Sequence, residues 1–130
     1  MKNVVLLGAT GSIGSSTLNV LRQNKEIFTL KAIALHQNLD IALEIVHEFN
    51  PEHVFISKKN INTDHPIFSS GSKILTCIED LKSVIQNPEI EIVISAISGF
   101  AGLQSSYWAI EAGKTTLIAN KESIVSAGDI

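Results

Sequence analysis

The chain has 130 residues, 45% hydrophobic and 18% charged, which is enough apolar material for one core and too little charge for a disordered segment. A net charge of -3 without a basic block argues against non-specific nucleic-acid binding, and a single cysteine, Cys77, excludes an internal disulfide framework or a cysteine-rich zinc site. The apolar run ahead of Gly8 is too short for a signal peptide, and no run approaches the roughly 20 residues of a membrane span, so the expectation is a soluble, cytoplasmic protein.

Strand-like and helical patterns alternate along the chain. Residues 4–7 are continuously apolar, as in a strand buried on both faces. From Ser12 onward, Ile13, Thr17, Val20 and Leu21 recur at helical spacing, and 28–35 reads as a second strand. Ile41, Ile45, Val46 and Phe49 form the next helical stripe, with Asn38 as its N-cap and Pro51 as its stop. A short third strand is expected over 53–56. Polar residues, glycine and Pro66 dominate 57–72, which predicts a loop holding one helical turn. A short strand at 73–75 follows. Thr76 and Glu79 have the spacing of a capping box, ahead of Leu81 and Ile85 on one face and Pro88 as a stop. Residues 91–96 read as another strand. Leu103, Tyr107 and Ile110 mark a helix that Gly113 terminates. A last strand is expected over 115–119, with a new helix starting near Lys121. Such alternation predicts a doubly wound, mostly parallel, Rossmann-like α/β sheet with helices on both faces, in one domain over 1–130. The stop at Ile130, just after a helix is expected to begin, reads as a cut within a longer protein.

The stretch "VVLLGATGSIG", residues 4–14, carries the chemistry. Ligands of open parallel sheets bind beyond the carboxyl ends of the strands, where this turn leads from strand to helix. Gly8 would allow the tight turn out of the strand, Gly11 would let a pyrophosphate approach the backbone, and Gly14 would let the helix pack closely on the strand. N–H groups near Ser12 and Ile13 would then face phosphate oxygens at the positive end of the helix dipole. The spacing is G-x-x-G-x-x-G, and a glycine trio also occurs in plain strand-to-helix turns. The alternating context points to dinucleotide binding. No Gly-Lys-Ser/Thr follows, so it is not a nucleotide-hydrolase phosphate loop.

The choice between NAD and NADP falls at the end of the second strand, where an acid usually binds the ribose 2′-OH of NAD. Here stand His36, Gln37 and Asn38; the first acid, Asp40, falls inside the predicted helix. An uncharged, hydrogen-bonding cluster favours NADP, although no arginine is present to grip a 2′-phosphate. Further on, "SAISGFAGL" at 95–103 offers a second glycine loop that could pass a nicotinamide ring, or be a plain connection. "IANKES" at 118–123 offers Lys121 to an anionic substrate, with Asn120 and Glu122 as hydrogen-bonding neighbours; the other reading is a polar first turn of a helix. His47 is expected on an exposed helix face. His53 and His65 have no partners at metal-ligand spacing, and Trp108 is expected to pack a helix.

Taken together, "LLGATGSIGSSTLNVLR" at 6–22, "SAISGFAGL" at 95–103 and "AGKTTLIANKESIV" at 112–125 closely resemble the N-terminal region of the 1-deoxy-D-xylulose 5-phosphate reductoisomerases. Residues 50–90 match only loosely. The resemblance implies an NADPH-dependent oxidoreductase that rearranges 1-deoxy-D-xylulose 5-phosphate and reduces the product to 2-C-methyl-D-erythritol 4-phosphate, in the non-mevalonate route to isoprenoids. It implies that Thr10, Gly11, Ser12 and Ile13 contact NADPH, that Gln37 and Asn38 lie at its ribose end, that Asn120 and Glu122 also lie on the cofactor, and that Lys121 reaches the sugar phosphate. It further implies a homodimer, and Mg²⁺ or Mn²⁺ held by carboxylates beyond Ile130, so the chain alone is expected to bind cofactor without turnover. Gln37 replaces a lysine that the family commonly carries, which predicts a narrower preference for NADPH over NADH. Two rivals remain open at this point: the cofactor domain of another NADP-linked dehydrogenase, such as a homoserine dehydrogenase, and a dinucleotide-sensing module without chemistry.

Overall fold

The computed structural model describes residues 1–97, 100–119 and 124–126, without the side chains of 100–103, 119 and 124–126. The chain runs β1 (Lys2–Leu7), α1 (Ser12–Gln23), β2 (Phe28–Leu35), α2 (Leu39–Phe49), β3 (His53–Ile56), a 3-10 helix (Pro66–Ser69), β4 (Lys73–Leu75), α3 (Ile78–Gln86), β5 (Ile92–Ser95), α4 (Phe100–Glu111), β6 (Thr115–Ala119) and β7 (Ile124–Ser126). All strands join one sheet in the order β4-β3-β2-β1-β5-β6-β7. Neighbours are parallel from β4 through β6, and β7 alone runs antiparallel, against β6. The strand order reverses between β1 and β5, which opens a crevice at their carboxyl ends.

The doubly wound architecture follows from side-chain alternation in the central strands. Val4 and Leu6 of β1 enter one core with Leu18 and Leu21 of α1 and Ala42, Ile45 and Val46 of α2. Val5 and Leu7 enter the other, with Leu81 and Ile85 of α3 and Ala109 of α4. All four β1 side chains are fully buried, which explains the unbroken apolar run. β2 carries an irregularity: Val4 pairs Leu30 and Val5 pairs Ala32, so Lys31 is an extra residue. The bulge puts Leu30, Ile33 and Leu35 in the first core and Ala32 and Ala34 in the second. Lys31 points to the neighbouring strand's start and pairs with Glu52 at 3.0 Å.

Local signals account for most element ends. Asn38 caps α2 by accepting from the Ile41 N–H at 3.2 Å, and Asn50 closes it in the left-handed region just ahead of Pro51. Gly113, at φ +79°, ends α4; its N–H donates to the Ile110 carbonyl and that of Lys114 to the Ala109 carbonyl, a Schellman arrangement. The 57–72 segment holds its helical turn against α2. His65 Nδ1 accepts from the Ile67 N–H at 3.1 Å, and Nε2 donates to Asp40 at 2.7 Å.

Four expectations are corrected. Where a helix was expected to run on from near Lys121, the described residues Ile124–Ser126 form a strand, and the β-branched pair Ile124-Val125 was the available sign. The N-cap of α3 is Cys77, one residue past Thr76, and no side chain caps it; the Cys77 thiol instead donates to Glu79 Oε2 at 2.7 Å. The helix begins at Ile78, which shifts Glu79 out of the capping-box position. In α4, Tyr107 and Ile110 are 60% and 44% exposed, whereas Ser105, Ser106 and Ala109 are buried. Small side chains let this helix approach the sheet, so its inner face is not the apolar stripe. Val20, counted in the apolar pattern of α1, is 56% exposed.

Candidate functional site

The turn between β1 and α1 is built by three glycines with three different steric demands. Gly8 has φ +84°, and a Cβ there would lie 2.9 Å from the carbonyl carbon and oxygen of Ala96 on the neighbouring strand end. Gly14 sits in the first turn of α1; a Cβ there would collide with the Gly8 carbonyl oxygen and lie 2.7 Å from that of Ala9. Gly11 differs from both. A Cβ would meet only the Gly8 carbonyl oxygen, at an ordinary 3.9 Å, so nothing in the fold itself requires glycine there. The bare backbone at Gly11 leaves room for something outside the chain.

Gly11 is the N-cap of α1, in extended conformation and without a side-chain cap. Its carbonyl accepts from the Ser15 N–H at 2.9 Å. The N–H groups of Ser12, Ile13 and Gly14 therefore precede the first bond of the helix and have no intrahelical acceptor. No acidic residue stands in that first turn. Backbone donors, the helix dipole and the absence of an acidic residue in the first turn give this end the chemistry that suits an anion.

The turn opens on a cavity of about 590 Å³, within the range of cofactor pockets. Thr10 and Gly11 line its floor at the switch point. Ile97 and Gln104 lie at the β5–α4 side, His36 and Lys59 at the ends of β2 and β3, and Cys77 and Glu79 at the start of α3. The hydrogen bond from Cys77 holds the Glu79 carboxyl below the usual glutamate range, and the charge of Lys59 acts in the same direction. The strand ends are fastened together. Gly8 and Ala9 N–H both donate to the Ala34 carbonyl, at 2.8 and 3.0 Å, and His36 Nδ1 lies 2.9 Å from Ser57 Oγ.

Of the residues singled out from sequence, Thr10 and Gly11 line this cavity, and Ser12 and Ile13 are the first two residues of α1 beside it. Gln37 and Asn38 are exposed next to His36, and the Asn38 carbonyl group is engaged in capping α2. Asn120, Lys121 and Glu122 lie outside the described residues, as do residues 98 and 99 of the second glycine loop, whose last four residues, Phe100 to Leu103, begin α4. Lys59, Glu79 and Gln104 were not singled out. Lys59 sits in a stretch whose only local signal is polarity, Glu79 and Gln104 lie in helices that the sequence predicts, and long-range strand pairing brings all three to the turn. Among the described residues, no three His, Cys, Asp or Glu side chains are grouped to hold a metal ion, and no helix is long and apolar enough to cross a membrane.

The sheet order, the glycine turn at the switch point and the cavity above it define a Rossmann-type α/β domain. Residues 4–128 match the family model of 1-deoxy-D-xylulose 5-phosphate reductoisomerase, and the chain belongs to this family. A reductoisomerase of Bacillus cereus (strain AH187) is 42% identical over 130 residues, covering the whole chain and 34% of the relative. One from Clostridium kluyveri (strain ATCC 8527) is 36% identical, with 35% of its length covered. A solved DOX-P reductoisomerase in complex with NADPH, fosmidomycin and magnesium superposes with a TM-score of 0.82 at 34% identity, over 95% of this chain and 31% of that one. The chain thus spans about a third of the length of the relatives it matches.

Proposed function

We propose that this chain is the NADPH-binding part of a reductoisomerase that converts 1-deoxy-D-xylulose 5-phosphate to 2-C-methyl-D-erythritol 4-phosphate in the non-mevalonate route to isoprenoids. The observation that carries the reading is Gly11: a glycine the fold does not need, over three free N–H groups, at the mouth of a cofactor-sized cavity. NADPH, when bound, supplies the hydride. Thr10, Gly11, Ser12 and Ile13 hold its pyrophosphate, Gln37 and Asn38 lie at the ribose, Asn120 and Glu122 complete the cofactor contacts, and Lys121 receives the anionic sugar phosphate. The Mg²⁺ or Mn²⁺ chemistry is not assigned to any residue of the described part, because its side chains do not fit a metal centre. The whole protein is proposed to work as a homodimer in the cytoplasm.

Calorimetric titration of NADPH into the chain tests the reading. Saturable one-site binding is expected, without turnover of the sugar phosphate by the chain alone. Absence of binding by a folded chain refutes the cofactor role, and turnover by the chain alone refutes the division of labour.

A further inference from the structure

Resting on the NADPH reading, we infer that Lys59, on the loop after β3, is the residue that selects NADPH over NADH by binding the 2′-phosphate. The end of β2, where the ribose of a bound dinucleotide lies, offers little charge of its own. His36 lines the cavity, Gln37 is uncharged, and Asn38 is occupied as a helix cap. The first acid after β2, Asp40, accepts from His65 Nε2 at 2.7 Å and is thereby tied to the 3-10 helix. It does not line the cavity, so no carboxylate from β2 or α2 meets a ribose 2′-OH or repels a phosphate there.

The missing cation comes from the adjacent strand. β2 and β3 are parallel and in register to their ends, with Leu35 opposite Ile56. The pairing continues past both: the Ser57 N–H donates to the Leu35 carbonyl and the Lys58 N–H to the His36 carbonyl, each at 3.0 Å. The His36–Ser57 side-chain contact closes the same junction. This stitching holds the loop after β3 beside the end of β2, and its next residue, Lys59, reaches the cavity wall. Among the described residues lining that cavity, Lys59 is the one lysine or arginine and Glu79 the one carboxylate. Lys59 both offsets Glu79 and offers an ammonium group to an entering dianion. Lys58, one residue earlier, does not line the cavity. Gln37 taken alone predicts a weakened NADPH preference; Lys59 restores the charge from the next strand.

The test is titration of NADPH and NADH into the chain and into Lys59→Ala, Lys59→Arg and Lys58→Ala. Lys59 is exposed, so these variants are expected to fold, and far-UV circular dichroism checks that they do. The expected result is a loss of NADPH affinity of about tenfold in Lys59→Ala, the contribution of one charge-assisted hydrogen bond, with NADH affinity unchanged. Lys59→Arg and Lys58→Ala should stay near the parent. Equal losses for both dinucleotides, no loss, or the same loss in Lys58→Ala would overturn the inference while leaving the cofactor role intact. Failure of the parent chain to bind either dinucleotide would instead remove the reading on which it rests.

Discussion

Gly11 and Gly14 are three residues apart and opposite in what they serve. At Gly14 an added methyl meets two backbone carbonyls that belong to the turn itself. Gly14→Ala is expected to destabilise the chain by about 1–3 kcal/mol, the usual cost of overpacking, read as a lower denaturation midpoint. At Gly11 the same methyl meets only the Gly8 carbonyl oxygen, at an ordinary contact distance of 3.9 Å, on an extended backbone. Gly11→Ala should leave the midpoint unchanged and weaken NADPH binding several-fold or more; a variant that lost stability but kept affinity would contradict the assignment. The demands at Gly8 and Gly14 were legible in the sequence as a tight turn and a close helix approach, although the backbone that Gly8 approaches is Ala96, at the end of the neighbouring strand. Lys59 and Glu79 were not legible, because their position depends on which strands become neighbours. Helix and strand patterns say little about that.

Among the elements, the junction of α1 and α2 carries the clearest dependence on pH. Arg22 of α1 donates from both Nε and Nη2 to the Glu48 carboxylate of α2, the Nη2 bond being 2.7 Å. That hydrogen-bonded pair raises the Arg22 guanidinium further above its usual value and holds the Glu48 carboxyl below the usual glutamate range. For a carboxyl whose folded pKa lies below its unfolded one, the stabilisation is present above the unfolded value and is lost as pH falls through the folded value. The pair is exposed, so the effect is modest. Glu48→Gln should lower stability modestly at neutral and alkaline pH and converge with the parent in acid, so that the acid limb of the stability–pH curve flattens. A parallel downward shift of the entire curve would show that packing, not charge, is what Glu48 contributes. At the other face, α3 starts at Cys77 without a side-chain cap. Cys77→Ser places a hydroxyl at an extended N-cap position and should stabilise the chain by up to about 1 kcal/mol, measurable by thermal melting. The boundaries of α2 and β3 were readable from Asn38, Pro51 and β-branched residues. The inner face of α4 was not, since among its described side chains the buried ones are Ser105, Ser106 and Ala109, which carry no apolar periodicity.

At the scale of the whole molecule, the ligand end of the sheet is assembled from segments far apart in the chain. β1 and β5 frame the crevice, yet β1 is made before every other strand of this sheet. One edge of β1 can pair with β2 as soon as that strand appears. The other must wait for Ile92–Ser95, which follows β3 and β4, the two further strands on the far side. At a synthesis rate of about 5–20 residues per second, that interval is on the order of ten seconds. Throughout it, Val4, Val5, Leu6 and Leu7 present an apolar strand with one unpaired edge, the kind of surface that recruits other chains. The central position that fully buries Val4 to Leu7 in the finished domain therefore leaves the same residues waiting longest for their second partner in the nascent one, and a chaperone arriving early at the ribosome would find its target in the residues that lead into the glycine turn.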